Sequence, residues 1–367
     1  MTARGQGGPR PGGWMIVPAS PERFDGVRDF ASHLAAALAP AGRVASFTTA
    51  GDAAPAPGTT VLSGWRALDP HRAAPRVAYV NYVPQAWLRR DLPALLSRLR
   101  QARAAGARVV FIVHEYQVDP APSLKRAAAR VLFRRMARAF AARADALVTT
   151  HGFVADLARD DGLDRLCEIT TIPAGSNIPD PEPPIPDKAA ARIVMFGQPS
   201  GMRPSMVGAA ARLAERRGAR LVWICRRGDE AKAWMGEHGL PHAAIDVAAG
   251  LDAAAVSREL ACASIGFAPI LDGVSTRRTT VAALLQHALP VAGSDGRTTD
   301  PLLRDSGAFA LVPASDAAAG DAAATIDALL SDSASRASMA RRARALFDAH
   351  LSWPRIADQY LRLGGGN

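Results

Sequence analysis

Two adjacent arginines stand at the start of an apolar, helix-like stretch in the second half of the chain. Arg277 and Arg278 lie between hydroxyl residues in the segment DGVSTRRTTVAALLQHALPVAGSDG, residues 272–296. Guanidinium groups bind phosphate oxygens in a planar, bidentate way, and a helix N-terminus favours an anion, so the segment predicts a diphosphate site. A helix that merely begins with two solvated arginines would show the same pattern.

Further polar residues in loops of the second half extend this candidate site. Arg203 lies in a Gly/Pro/Ser loop before a helix, and Arg226 follows a predicted strand, where a charged side chain is often only solvated. Asp272 precedes a glycine in a turn, where it can hold a sugar hydroxyl or simply cap the turn. With the two arginines we group Gly197, Arg203, Arg226, Gly273, Val274, Ser275, Thr276 and Thr279.

In the first half of the chain, the candidate residues stand beside predicted strands or at a helix start. His114 and Glu115 follow the apolar run RVVFIV, and His151 lies in VTTHG. An imidazole there can donate a hydrogen bond or exchange a proton near neutral pH, although a histidine bonded to a loop carbonyl would look the same. Asp25 and Gly26 open a helix-like stretch, where glycine lets a ligand approach the backbone. An ordinary glycine turn with Asp25 as its N-cap is the alternative.

The elements that must position these residues alternate between strands and helices. Apolar runs such as WMIV, RVAYVNYV and RVVFIV are separated by stretches with helical spacing, and the alternation restarts after residue 191. Near-continuous apolar strands between helices indicate a parallel sheet covered on both faces. The sequence therefore predicts an α/β fold of two doubly wound, Rossmann-like domains, with ligands at the carboxyl ends of the strands.

A proline-rich segment sets the predicted domain boundaries. IPDPEPPIPDKAAA, residues 178–191, cannot continue a helix or a central strand, so we predict a stiff linker. The expected divisions are a flexible leader over 1–13, an N-terminal domain over 14–178, the linker over 179–191, a C-terminal domain over 192–345 and a closing segment over 346–367.

Composition restricts the class of protein. Of the 367 residues, 49% are hydrophobic, so each domain can bury its own core. The net charge of +10 favours anionic partners, but few aromatic residues and no recognisable motif argue against nucleic acid. Three widely spaced cysteines fit a reducing cytoplasm better than disulfides or zinc. The sequence has no closely spaced carboxylate dyad and no HExxH, GxSxG or Walker A motif, and we predict no metal site. No apolar run approaches the ~20 residues that span a bilayer.

Several motifs follow one another along the chain. They are DGVRDFASHLAAAL, VHEY, ARADALVTTHGFVADL before TTIPAGSNIP, the arginine segment described above, and the final LSWPRIADQYLRL. In order and spacing they resemble the motifs of GT-B-fold glycosyltransferases, specifically the retaining glycosyltransferase family 4 type. The resemblance spans nearly everything from Trp14 onward. It implies two domains that face each other across a cleft and a C-terminal helix that crosses back onto the N-terminal domain.

The resemblance implies transfer of a sugar from a nucleotide-diphosphate donor to a hydroxyl acceptor, with retention of the anomeric configuration and without a metal or other cofactor. The acceptor would be a saccharide, a lipid-linked saccharide or a small molecule, in bacterial polysaccharide, glycolipid or natural-product glycosylation. Catalytic roles then fall to His114, Asp272, Arg277 and Arg278. Asp25, Glu115 and His151 fall on the acceptor side, whereas Gly26 and the residues grouped with the arginines bind the donor.

One departure concerns two glutamates of this family, which are separated by seven residues. At their positions this chain has Ser275 and Ala283, so the ribose contact is unassigned and the sugar contact falls to Asp272. A non-catalytic nucleotide-sugar-binding protein that retains the fold therefore stays open as an alternative. A sugar-nucleotide epimerase or phosphorylase is a further alternative, although the lack of a carboxylate-rich site for proton abstraction disfavours the epimerase.

A basic segment, SLKRAAARVLFRRMARAFAARAD, indicates where in the cell the protein could act. Arginines recur at every fourth residue, at Arg126, Arg130, Arg134 and Arg138, with Val131, Leu132, Met136 and Phe140 as apolar neighbours. This slowly spiralling stripe fits a surface helix that is docked through its apolar side. It also fits a cytoplasmic, peripheral enzyme that binds anionic lipid on the inner face of the membrane.

Overall fold

The computed structural model describes residues 12–18, 26–42, 44–49, 57–69, 75–87, 92–116, 123–182 and 191–365. Contacts divide the chain into an N-terminal unit, Met1–Ile172 with Ile356–Asn367, and a C-terminal unit, Pro173–Arg355. Each unit is built around one parallel sheet with helices packed on it. The predicted α/β fold of two Rossmann-like domains is therefore confirmed.

The unit boundaries differ from the predicted ones because hydrogen bonds tie the turn before the linker to the C-terminal unit. The backbone N–H of Ala174 donates to the carbonyl of Thr276 at 2.9 Å. The indole of Trp353 donates to the carbonyl of Ser176 at 2.7 Å, and its ring occupies the space beside Gly175. The C-terminal unit therefore starts before the predicted linker and extends into the predicted closing segment.

The N-terminal unit contains a seven-stranded sheet in which all the paired strands run parallel. In chain order the strands are β1 (Gly13–Ile16), β2 (Val44–Thr49), β3 (Thr59–Leu62), β4 (Val77–Tyr82), β5 (Arg108–Val113), β6 (Ala146–Thr149) and β7 (Glu168–Thr171). Their order across the sheet is β3-β2-β1-β4-β5-β6-β7. The apolar pattern does not predict β2 and β3, because VASFTT and TTVL are rich in hydroxyl residues and incompletely buried.

Aromatic side chains fix the helices of this unit to its sheet. The helices are α1 (Gly26–Leu38), α2 (Leu92–Ala104), α3 (Leu124–Ala141) and α4 (Gly152–Asp160). The rings of Phe111 on β5 and Phe140 on α3 stack with their centroids 5.1 Å apart, and Tyr82 on β4 packs against both. This cluster determines which face of α3 points inward.

The C-terminal unit contains a six-stranded parallel sheet. Its strands are β8 (Arg192–Phe196), β9 (Arg220–Cys225), β10 (Ile245–Ala249), β11 (Ile265–Ala268), β12 (Val291–Asp295) and β13 (Phe309–Pro313). Its helices are α5 (Pro204–Arg217), α6 (Gly228–Glu237), α7 (Ala253–Ala261), α8 (Thr279–Gln286), α9 (Pro301–Arg304), α10 (Ala319–Ser331) and α11 (Ser333–Leu346). All six strands lie after residue 191, where the sequence predicts that the alternation of strands and helices restarts.

The last helix, α12 (Trp353–Leu363), belongs in part to the N-terminal unit. Its residues from Ile356 onward are grouped there, and Tyr360 is fully buried with its ring edge-on to Tyr79 at 5.9 Å. Among the described residues, no helix combines the length and the apolar character needed to cross a bilayer.

In both sheets, successive strands are added towards one edge and then, after a single reversal, towards the other edge. The reversal lies between β1 and β4 in the N-terminal unit, and between β8 and β11 in the C-terminal unit, where the order is β10-β9-β8-β11-β12-β13. Loops leaving the carboxyl ends of two such strands run to opposite sides and leave a crevice between them, which is where open parallel sheets bind ligands.

Candidate functional site

Two loops of the C-terminal unit meet at the reversal of its sheet. One follows β8 and ends at Arg203, and the other follows β11 and ends at Arg278. An isolated antiparallel bridge joins Met202 to Ile270, and the N–H of Arg203 donates to the carbonyl of Pro269 at 2.7 Å. These bonds place both loops together at the carboxyl ends of β8 and β11, which makes them the candidate site.

Arg278 is half-buried at the N-terminus of α8. Its guanidinium lies against Gly201, where a Cβ would stand 3.2 Å from Nη1. Burial and the neighbouring charge of Arg277 lower the pKa of Arg278 to about 10, and the carboxylate of Asp272 offsets part of this effect. Among the described residues, no group accepts a hydrogen bond from this guanidinium. A desolvated cation beside a second cation favours the binding of an anion.

A buried carboxylate holds the loop that carries the two arginines. Oδ2 of Asp300 accepts a hydrogen bond from the backbone N–H of Thr276 at 2.9 Å and another from its hydroxyl at 2.8 Å. Both residues are buried. Because one carboxylate fixes the backbone and the side chain of Thr276, it also fixes the turn that presents Arg277 and Arg278.

The backbones of the loops after β11 and β12 cross at two glycines. Gly273 has a φ of +96°, and a Cβ there would lie within 3.0 Å of Thr299 Oγ1 and of the Gly296 backbone. A Cβ at Gly296 would lie within 3.0 Å of the Asp272 carbonyl oxygen. Since left-handed backbone and this close approach both exclude a side chain, the DGVST turn can form only with glycine at its second position.

Arg203 lies in the candidate site but is engaged by other groups of the protein. Its Nη1 donates to Oδ1 of Asp316 at 3.2 Å, and its Nη2 donates to the carbonyl of Leu271 at 2.7 Å. The hydroxyl of Ser205 donates to the same oxygen of Asp316 at 2.6 Å. Arg203 therefore braces the β8 loop against the β11 loop.

The remaining predicted donor-side residues divide by exposure. Arg226 and Arg277 are exposed, Gly197, Asp272 and Thr279 are half-buried, and Gly273, Val274 and Ser275 are buried. The carboxylate of Asp272 is 3.4 Å from Nη2 of Arg297. Gly197 has a φ of +146°, and its carbonyl accepts a hydrogen bond from the indole of Trp223 at 3.0 Å. The negative charge of Asp272 acts on Arg278 and raises its pKa slightly, whereas Arg226 follows the separate strand β9.

Replacing Asp300 with alanine is expected to loosen this loop. The substitution leaves the buried N–H and hydroxyl of Thr276 without their acceptor, which lowers the free energy of unfolding by about 2–3 kcal/mol. Urea denaturation followed by tryptophan fluorescence measures the change. Glu215→Ala removes an exposed carboxylate from α5 as a matched control and is expected to change the free energy by less than about 0.5 kcal/mol. Equal costs for the two variants would contradict the role of Asp300.

In the N-terminal unit, a buried asparagine orients His114. Nε2 of His114 is 2.9 Å from Oδ1 of Asn81, whose Nδ2 donates to the carbonyl of Ile16 at 3.1 Å. Because the amide nitrogen faces Ile16, Oδ1 is the acceptor and Nε2 of the imidazole carries the proton. Phe30 on α1 packs edge-on against the imidazole with 4.8 Å between ring centroids. Asn81 thus bridges β1 and β4 at the reversal of this sheet and holds His114 at the end of β5.

The other predicted residues of this unit lie at separate strand and helix ends. Glu115 is exposed, and His151 is buried at the N-terminus of α4, where its ring stacks on Phe153. Gly26 begins α1, and no atom of the described residues lies within 4 Å of the position that its Cβ would take. The predicted residue Asp25 lies outside the described residues.

The sequence contains signals for two further functional residues, which a search for apolar periodicity alone misses. Asn81 interrupts the apolar strand VAYVNY, which indicates a buried amide with bonded partners. Asp300 precedes Pro301 at the start of α9, a position typical of an N-cap, but its carboxylate binds Thr276 instead. Among the described residues, no group of three His, Cys, Asp or Glu side chains could hold a metal ion.

Comparison with solved structures places the fold among GT-B glycosyltransferases. Anabaena HepE (Alr3699) in complex with UDP has a TM-score of 0.68 at 14% identity over 97% of this chain and 99% of HepE, and it is also solved with UDP and glucose and with UDP-glucose. A glycosyltransferase from Rickettsia africae ESF-5 has a TM-score of 0.64 at 12% identity over 96% of this chain and 97% of that protein.

A third solved structure extends the comparison to another activity. A putative UDP-N-acetylglucosamine 2-epimerase from Listeria monocytogenes has a TM-score of 0.53 at 14% identity over 95% of this chain and 94% of that protein. No protein-family model and no curated protein matches the sequence. At these identities the solved structures define the fold, which is the GT-B type.

Proposed function

We propose that this protein is a glycosyltransferase that moves a sugar from a nucleotide-diphosphate donor to a hydroxyl acceptor with retention of anomeric configuration. The observation that carries the proposal is Arg278, a half-buried cation beside Arg277 at the reversal of the C-terminal sheet. HepE, which has a similar fold, is solved with UDP and with UDP-glucose. A uridine-diphosphate sugar is therefore the first donor to test.

The donor's diphosphate supplies the negative charge that the candidate site favours. Its oxygens accept hydrogen bonds from the guanidinium groups of Arg277 and Arg278 and from N–H groups at the start of α8. As the bond from the sugar to the diphosphate lengthens, negative charge grows on the departing oxygen, and the same groups stabilise it more strongly than they do the bound donor. In this proposal the arginines carry the charge that a divalent metal would otherwise supply.

The acceptor hydroxyl is assigned to the N-terminal unit, near His114. Asn81 orients the imidazole of His114, and an oriented imidazole can form a hydrogen bond with a sugar hydroxyl. The attacking hydroxyl approaches on the leaving-group face of the donor. Its oxygen bonds to the anomeric carbon as the carbon–diphosphate bond breaks, and its proton passes to the diphosphate. Saccharides, lipid-linked saccharides and small molecules all offer such a hydroxyl.

A donor panel tests the proposal. The protein is incubated with UDP-, GDP-, ADP- and dTDP-sugars, with and without acceptors, and the released nucleoside diphosphate is measured. We expect release from at least one donor, loss of release in Arg278→Ala, and retention of release in Arg258→Ala, which removes an exposed arginine from α7. Proton NMR of the product tests retention of configuration. An inverted product would contradict the retaining mechanism, and turnover that does not depend on Arg278 would contradict the site.

Ser275 and Ala283 favour a second candidate, a protein that binds a nucleotide sugar without turning it over. Both positions are buried and neither carries a carboxylate. Binding of a nucleoside diphosphate without turnover of any donor would support this candidate. The Listeria epimerase has a similar fold, so the same NMR experiment includes a sample without acceptor, in which an epimerase would convert the donor sugar alone.

A further inference from the structure

Helix α3 has an outward surface that the proposed transfer reaction does not use. Over Leu124–Ala141 it contains five arginines, one lysine and no Asp or Glu. Its inward face, which packs in the core of the N-terminal unit, consists of Phe133, Met136, Ala137, Phe140 and Ala141. Because this face is held by the aromatic cluster of β4 and β5, the residues on the opposite side of α3 are fixed as its outward surface.

Large apolar side chains lie on this outward surface. Leu124 is 92% exposed, Val131 is 52% exposed and Leu132 is 43% exposed. They make up half of the six large hydrophobic residues that are exposed among the described residues. A single exposed leucine needs no explanation, but three on one side of a helix whose other side is fully packed form a patch.

The cations on the same side are available to an external anion. Lys125, Arg135 and Arg138 are exposed, and within the described part of the chain none of them forms an ion pair. Arg134, by contrast, donates from Nε to Asp161 at 2.8 Å, and Arg130 is half-buried. The predicted stripe at every fourth residue is therefore not one exposed surface, because residues four apart drift by about 40° around a helix.

We propose that α3 binds a lipid bilayer that contains anionic headgroups. The patch of Leu124, Val131 and Leu132 enters the boundary between headgroups and acyl chains, while Lys125, Arg135 and Arg138 contact lipid phosphates. A helix of this length lies along about 27 Å of surface, and it carries no carboxylate that would be repelled. Apolar and basic residues interleaved on one face are typical of interfacial helices. Exposed leucines add nothing to the binding of a nucleic acid, which makes the bilayer the favoured polyanionic surface.

Sedimentation with vesicles tests this proposal on the full chain without any donor or acceptor. We expect the protein to pellet with vesicles of phosphatidylcholine mixed with phosphatidylglycerol, and far less with phosphatidylcholine alone. Arg135→Glu with Arg138→Glu is expected to lower the partition coefficient by about 25-fold or more, since each basic residue contributes about fivefold near an anionic surface. Leu124→Ser with Leu132→Ser leaves the charge unchanged and is expected to lower it by about tenfold or more.

Matched controls separate a specific surface from general charge. Arg258→Glu with Arg341→Glu makes the same change of charge at exposed positions in the C-terminal unit and is expected to leave vesicle binding within about twofold of wild type. Circular dichroism checks that every variant is folded.

Three outcomes would overturn the proposal. They are no binding of the wild type to the anionic vesicles, an equal loss in the control pair, and retention of binding when the two leucines are replaced. Single-stranded DNA serves as the competing polyanion, and α3-dependent binding of DNA without binding of vesicles would identify a nucleic-acid surface instead. The vesicle experiment measures no sugar transfer, so a negative result does not bear on the proposed glycosyltransferase activity. Likewise, absence of that activity would not change the result of the vesicle experiment.

Discussion

Arg278→Ala is expected to lose stabilisation by UDP while the unliganded protein stays as stable as the wild type or becomes more stable. In the free protein the guanidinium is desolvated beside Arg277, so its removal deletes an unfavourable charge. In the proposed complex the same group pairs with the diphosphate. We expect its loss to weaken binding about a hundredfold, which lies within the range for truncating one partner of a buried charge pair.

Thermal unfolding with and without UDP measures this effect. At a UDP concentration of about 100 times the dissociation constant, the wild type gains about 2.7 kcal/mol, and the variant gains about 0.4 kcal/mol at the same concentration. Arg258→Ala is the control and is expected to behave as the wild type. A variant that is destabilised when free, or that still gains the full shift with UDP, would show that Arg278 is an ordinary structural residue.

Gly273→Ala is expected to cause the largest loss of stability among single substitutions in the candidate site. The added Cβ meets Thr299 Oγ1 and the Gly296 backbone within 3.0 Å, and the φ of +96° strains any residue other than glycine. Since the clash involves backbone that cannot move aside without opening the β11 and β12 loops, we expect a loss of about 3–5 kcal/mol in the free energy of unfolding of the C-terminal unit.

Gly250→Ala separates backbone strain from the clash. Gly250 has a φ of +66°, but in the described part of the chain no atom lies within 4 Å of the position of its Cβ. The expected cost is therefore the strain of the left-handed region alone, about 1–2 kcal/mol. Urea denaturation of both variants gives the comparison. If Gly273→Ala costs no more than Gly250→Ala, the crossing of the two loops does not hold the site together.

Much of the fold follows from local patterns, and the exceptions have physical reasons. The strand runs RIVMF and RLVWIC are buried over most of their length, so their apolar composition reveals them. Strand β2, VASFTT, is only half-buried at most of its residues, so it needs few apolar side chains. The outward face of α3 depends on which side the aromatic cluster holds, and the spacing of arginines alone does not contain that information.

In the candidate site, too, local features can be predicted from the sequence, whereas contacts between distant residues cannot. The position of Arg277 and Arg278 at a helix start is visible in the sequence, because capping and helical periodicity act over a few residues. Asp300 holds Thr276 across 24 positions in the chain, and Asn81 holds His114 across 33. Such partners depend on how strands are ordered in the sheet, so a single sequence assigns them only after the topology is known.

The measurement that tests the central claim most directly is a crystal structure of the protein with UDP bound. It should show both phosphates at the loops after β8 and β11, with the Arg278 guanidinium within hydrogen-bonding distance of a phosphate oxygen. Density for UDP elsewhere, with Arg278 turned away from it, would contradict the account.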